Sequence, residues 1–179
     1  MKKLQLTVAH EWSSGELDAR DQSVVAVQLR EDLLLVKVDA PFAGDAAPGE
    51  PAGRHPELWQ FEVVELFLAA PQQPGRYLEL EFSPHGHFLN LLFEAPRVPA
   101  TEPPPNVLSY TAAVSGDRWH GQATIERTGT MIDLDRATVH ANAFRLAGEP
   151  RRYELAFPLP GETPDFHQPS DFPELHWSS

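Results

Sequence analysis

Glu65, Glu79 and Glu81 fall in two neighbouring segments of alternating polarity, with Trp59 and Tyr77 close by in the chain. Carboxyl groups brought together in this way can bond the hydroxyls of a polyhydroxylated ligand, or they can act as acid and base. A pyranose has apolar C–H patches that stack on aromatic rings and hydroxyls that bond carboxylate, amide and guanidinium groups. The residues expected to supply these contacts are Trp59, Tyr77 and Trp119 for stacking, and Glu65, Glu79, Glu81, Asn90 and Arg145 for hydrogen bonding. The main expectation is therefore a non-catalytic saccharide-binding module. The catalytic alternative is a glycosidase, whose paired carboxyls stand about 5–5.5 Å apart when it retains configuration and roughly 6.5–9.5 Å when it inverts.

These side chains need strands to hold them. In Tyr77-Leu78-Glu79-Leu80-Glu81-Phe82-Ser83 the leucines and Phe82 point one way, and Tyr77, Glu79 and Glu81 the other. The preceding segment is apolar on both faces, as a covered central strand would be. A symmetric hairpin through residues 70–76 sets Glu65 opposite Glu81 and Phe67 opposite Glu79. If Pro84-His85-Gly86-His87 forms a four-residue loop, Glu81 then faces Asn90, which gives a row Glu65–Glu81–Asn90 across three strands. Opposed carboxylates repel when both are ionised, so Arg97 and Arg145 are the expected counter-charges.

Period-two segments recur along the chain: 4–10, 23–30, 33–39, 58–69, 76–83, 88–94, 107–115, 118–127, 138–147 and 152–157. Gly116-Asp117 is placed to turn one hairpin, and Met131 to Ala137 to form one helical turn with Asp133 as N-cap. The fold class expected is all-β: an antiparallel sandwich, immunoglobulin-like or jelly-roll, of about ten strands in a single domain spanning 1–179. Three proline-rich stretches, 40–57, 95–106 and 158–179, are expected to wrap over a sheet or to rim a pocket.

Lys and Arg total 14 against 26 Asp and Glu, a net charge of −12 that repels phosphate backbones and anionic lipid surfaces. Neither nucleic acid nor membrane is an expected partner. The chain has no cysteine, which excludes disulfides, thiol catalysis and iron–sulfur ligation. Gln5, Thr7 and His10 interrupt the first apolar stretch, so no signal-peptide core forms and a cytoplasmic location is expected, with a secreted or periplasmic one as the alternative if a leader has been removed. Composition leaves the oligomeric state open.

His85 and His87 read as a polar turn, with metal or haem ligation as the alternative and Met131 the one internal methionine for an axial position. Asp133 with Asp135, or Asp165 with Asp171, offer oxygen ligands but match no dense calcium loop. No cofactor or metal is expected. Nucleophile-elbow, zincin, P-loop and dinucleotide motifs are absent.

Four patches carry a family resemblance. Leu58-Trp59 followed by Glu62-Val63-Val64-Glu65-Leu66-Phe67-Leu68 resembles the strand "W…D-x-V-E-hydrophobic-F" of family-nine carbohydrate-binding modules and the wider DOMON-like sandwiches. Residues 77–86 are similar to the "Y-x-E-x-x-x-x-P-x-G" stretch that follows it, Asn142 to Arg145 to the "N-x-x-R" strand, and Pro164 to Phe172 to the closing "P-x-F-H-x-P-x-x-F". The resemblance implies a β-sandwich with a site on one sheet face or its rim that takes a sugar or, in some relatives, a haem. Sugar-binding relatives hold a terminal sugar between two tryptophans. Here Trp59 and Trp119, with Trp12 or Trp177, are the tryptophans available, and Glu62 stands where relatives often carry Asp. A ligand-free interaction module is the third alternative.

Overall fold

The computed structural model describes residues 1–13, 15–73, 75–127 and 132–179. Ten longer strands carry the fold: β1 (Lys2–Val8), β2 (Ser23–Leu29), β3 (Leu33–Pro41), β4 (Val63–Ala69), β5 (Tyr77–Phe82), β6 (His87–Ala95), β7 (Val107–Ser115), β8 (Arg118–Glu126), β9 (Thr138–Ala147) and β10 (Arg152–Leu155). One five-stranded sheet runs β1-β2-β3-β8-β7. The second runs β6-β5-β4-β9-β10, extended at one edge by Val98–Pro99 and at the other by His10–Glu11 and Gly15–Glu16. The all-β sandwich expected from the alternation is therefore what forms. Pairing is antiparallel except at Gly53–Arg54, which lies parallel to the start of β6.

Alternation decides the layers. Leu6 and Val8, Val25 and Val27, and Leu34, Val36 and Val38 face Val64, Leu66, Leu68, Leu78, Leu80 and Phe82 across the main core. Trp119, Ala123 and Ile125 of β8 join the same core. Gly121 lies between them in sequence because a Cβ there would come within 2.8 Å of Tyr110 Oη and 3.0 Å of Trp119 Cζ3. The Gly116-Asp117 turn forms as expected, with Ser115 paired to Arg118 and Gly116 at φ +64°.

The opposite face of the second sheet is not left to water. Val63, Phe67, Tyr77, Leu89, Phe93, Phe144 and Leu155 build a second apolar cluster with Leu58, Phe166 and Phe172. The last two come from the proline-rich tail, which crosses this face before Glu174–His176 pairs with β9.

Two local expectations are corrected. Residues 132–137 hold no helical turn, and Met131 lies outside the described residues. Ile132 and Leu134 are buried while Asp133 and Asp135 are exposed, an extended pattern. The Asp133 carboxylate accepts from the Asp135 amide at 3.1 Å and from Arg136 Nε at 3.2 Å, closing a local turn in place of a helix cap. Residues 58–60 form a single 3-10 turn after Glu57 in left-handed backbone (φ +55°), and the strand begins at Val63. That turn lifts Trp59 off the sheet.

Candidate functional site

Glu65 sits on β4, and Glu79 and Glu81 on β5, all projecting from the outer face of the second sheet. The register is the expected one, with Glu65 opposite Glu81 and Phe67 opposite Glu79. All three glutamates are buried, Glu81 completely. One oxygen from each lies within 4.8 Å of the others. Burial pushes Glu65 and Glu81 well above the ordinary carboxylate range, and the neighbouring glutamates push them further. Burial also raises Glu79, to about 7, against the opposing effects of a hydrogen bond with Glu81 and the charge of Arg97. The cluster therefore holds protons at neutral pH.

A cavity of about 330 Å³ opens over this floor, within the size range of small-molecule sites. Glu65 and Glu79 reach it, and Leu91, Phe93, Leu146 and Tyr153 extend the sheet wall. Trp59 stands at the rim, 41% exposed. Pro164, Asp165, Phe166 and His167 of the tail complete the lining. Phe166 is held by stacking on Phe144, with ring centroids 4.0 Å apart.

The roof is tied down by polar contacts. Tyr77 Oη lies 2.5 Å from His167 Nδ1 and accepts the Arg97 amide at 3.2 Å. Burial lowers His167 to about 4, so its ring is neutral and Nδ1 shares a hydrogen bond with the Tyr77 phenol. Arg97 Nη2 donates to Asp165 Oδ1 at 2.7 Å, and the same oxygen accepts the His167 amide at 3.1 Å. Burial pulls Asp165 upward, but those bonds win and hold it below its ordinary value. Arg97 has φ +61° in the turn after Pro96, a place where type II turns usually put glycine. A non-glycine residue held there at some cost in strain fits a functional position.

Not every residue expected at the site reaches it. Trp59, Glu65 and Glu79 line the cavity, and Glu81 stands beside them. Tyr77 is buried between Phe67 and Phe93, with centroids 5.5 and 4.8 Å away, so it positions His167 and offers no free ring. Asn90 is on the other face. The loop before it has three residues, because Ser83 N–H bonds His87 O at 2.9 Å and Gly86 takes φ +83°. Leu80 consequently pairs with Asn90 and Glu81 with Leu89, and a slip of one residue reverses every side chain. Asn90 Nδ2 donates to Pro105 O instead. Trp119 is fully buried between the sheets.

Arg145 does not meet the three glutamates. It points into the sandwich, where Nη1 bonds Glu154 at 3.0 and 3.1 Å and Nη2 bonds Glu62 at 3.2 Å and Pro41 O at 3.0 Å. Glu62 also accepts the Ala43 amide at 2.9 and 3.1 Å. Phe166, His167 and Tyr153 carried no site role in the sequence reading. The signal for Phe166 and His167 lay in the Pro164–Phe172 patch already noted for its resemblance, which does not include Tyr153.

The other candidate ligand groups are engaged. His85 Nε2 lies 3.0 Å from Asp45 O, and His87 Nε2 lies 2.9 Å from Glu50 O. Asp133 pairs with Arg136, Asp135 with Arg127 and Asp165 with Arg97. No helix among the described residues is long and apolar enough to cross a membrane.

No family model matches the chain. Over 97% of its length it shares its fold with 85% of a candidate carbohydrate-binding protein from Bacteroides uniformis, at a TM-score of 0.67 and 17% identity. A family 9 carbohydrate-binding module from Caldicellulosiruptor kristjanssonii, solved in complex with glucose, superposes at a TM-score of 0.63 and 11% identity, covering 97% of this chain and 83% of that one. The family-nine likeness is thus borne out as a likeness of fold. In sequence, the chain is 31% identical over 169 residues to the UPF0462 protein C4orf33 homolog of Danio rerio, a match covering 90% of this chain and 83% of the relative. The chain belongs to the UPF0462 family.

Proposed function

We propose that this protein is a non-catalytic saccharide-binding module whose ligand occupies the cavity above Glu65 and Glu79. The observation that carries the reading is the make-up of that cavity: ring-bearing walls from Trp59, Tyr153 and Phe166 around a floor of buried, proton-holding carboxyls. A protonated carboxyl both donates and accepts, which suits sugar hydroxyls, and the rings suit the C–H faces of a pyranose. Its volume suits one or two sugar units better than a long chain. The shared fold with a module solved with glucose supports the same reading.

Catalysis fits the geometry less well. Glu65, Glu79 and Glu81 all rise from one sheet face, whereas glycoside hydrolysis sets its two carboxyls on either flank of the bond to be cut. The test is calorimetry against a panel of mono- and oligosaccharides. Wild-type protein gives binding heat, and Trp59→Ala and Glu65→Ala each weaken the affinity about tenfold or more with the circular dichroism spectrum unchanged. A wild type that gives no heat with any member of the panel ends the reading.

A further inference from the structure

The floor of the cavity holds more acid than its surroundings balance. Arg97 is the one cation among the described lining residues, and it is bonded to Asp165. Arg151, whose charge reaches Glu65, donates to the carbonyls of Trp59 and Phe61 and pairs with Asp45. Arg145 faces the other side of the sheet with Glu62 and Glu154.

Glu79 is the telling residue. Its side chain is nine-tenths buried and borders the cavity, yet Oε2 has no hydrogen-bond partner among the other described residues' N–H and O–H groups. The groups facing Glu79 are Glu81 on its own strand, Glu65 on β4, Arg97 after β6, and Asp165 and His167 in the roof. His167 Nδ1 is 3.9 Å from Oε2 but is taken up by Tyr77 Oη. Beyond the proton it shares with Glu81, Glu79 is open on its cavity side to a donor that arrives with the ligand. Aromatic walls and an acidic floor favour an ammonium over a hydroxyl. Cations are drawn to ring faces, and an N⁺–H···O⁻ bond is roughly twice as strong as a neutral one.

We infer that the saccharide taken by this cavity is an amino sugar with a free ammonium group, its nitrogen seated on Glu79 and Glu65 beneath the rings of Trp59 and Tyr153. This inference rests on the saccharide reading above. It carries a proton balance: the ammonium keeps its proton, the carboxyl of Glu79 gives one up to solvent, and the new bond joins N⁺–H to O⁻. At pH 6, where Glu79 with its value of about 7 is mostly protonated, complex formation releases protons.

Calorimetry at pH 6 with glucosamine, N-acetylglucosamine and glucose, in two buffers of different ionisation enthalpy, tests it. Glucosamine binds about tenfold tighter than either neutral sugar and releases up to one proton per ligand. Glu79→Gln brings the ratio of affinities toward one and removes the release. The proton count is made on the wild type, so it stands whether or not the variant folds. If glucosamine binds no tighter than glucose, or binds without releasing protons, the ammonium assignment is overturned while saccharide binding stands. If none of the three sugars gives heat, both readings are overturned.

Discussion

Two clusters of buried charge lie on opposite faces of the same sheet. On the inner face Arg145 stands between Glu62 and Glu154, with hydrogen bonds of 3.0–3.2 Å to each and a further one to Pro41 O. On the outer face Glu65, Glu79 and Glu81 approach one another, and among the described residues no Lys or Arg is hydrogen-bonded to them. The first arrangement pairs its carboxylates with Arg145 and, through the bond to Pro41 O, ties the second sheet to the end of β3 in the first. The second keeps its protons because ionisation would leave unpaired charge away from water. It also lies against a cavity. The carboxyls with a bonded cation belong to the scaffold, and those without one border the cavity in which we propose that a ligand binds.

The largest effect expected is on the paired cluster. Arg145→Met strands Glu62 and Glu154 and lowers stability by about 3–5 kcal/mol in urea unfolding. A loss below 1 kcal/mol would show that the contrast between the clusters is not energetic. Next comes pH. Between about pH 4.5 and 7 the folded chain retains the Glu79 proton that the unfolded chain releases. Stability therefore falls as pH rises across that window, by about 3 kcal/mol from Glu79 alone. Unfolding that is equally or more difficult at pH 8 than at pH 5 contradicts this. Glu81→Gln removes one of the acids that must stay protonated, so it stabilises the protein at pH 8 and changes little at pH 4. The same substitution flattens the pH slope, which separates the cluster from the general effect of net charge. The smallest expected change in stability is that of Trp59→Ala, within about 0.5 kcal/mol because the ring is 41% exposed, although saccharide affinity drops. A large loss of stability there would make Trp59 a packing residue.

Much of this contrast was legible in the sequence, and the misses have separate physical causes. Strict alternation placed Leu78, Leu80 and Phe82 against the core, and the symmetric hairpin gave the Glu65–Glu81 and Phe67–Glu79 pairs. Asn90 was misplaced by a single residue of loop length, since Gly86 in left-handed backbone closes a three-residue turn where four were expected. Trp119 was misread although its strand carried the signal: Arg118, His120 and Gln122 alternate with Trp119, Gly121 and Ala123, which sets the indole on the core side. Arg145 was beyond local reading. Its partner Glu62 lies 83 residues away in the chain, and pattern within one strand cannot reveal such a pair. The roof was hidden for the same reason, because Phe166 and His167 acquire their neighbours only when the tail crosses the sheet.

That crossing has a consequence of its own. The tail spans the cavity and is then secured beyond it, by Glu174–His176 on β9 and by Lys3 and Ser178 exchanging backbone hydrogen bonds of 2.9 Å. It behaves as a strap made fast at its far end by pairing on the sheet. Floor and ceiling are thus held differently: the glutamates are fixed by two full strand ladders, whereas Pro164 to His167 lie outside any strand and are held through side chains, Phe166 on Phe144, Asp165 on Arg97 and His167 on Tyr77. Changing which guest the proposed site would admit therefore means replacing side chains that also hold the bridge in place.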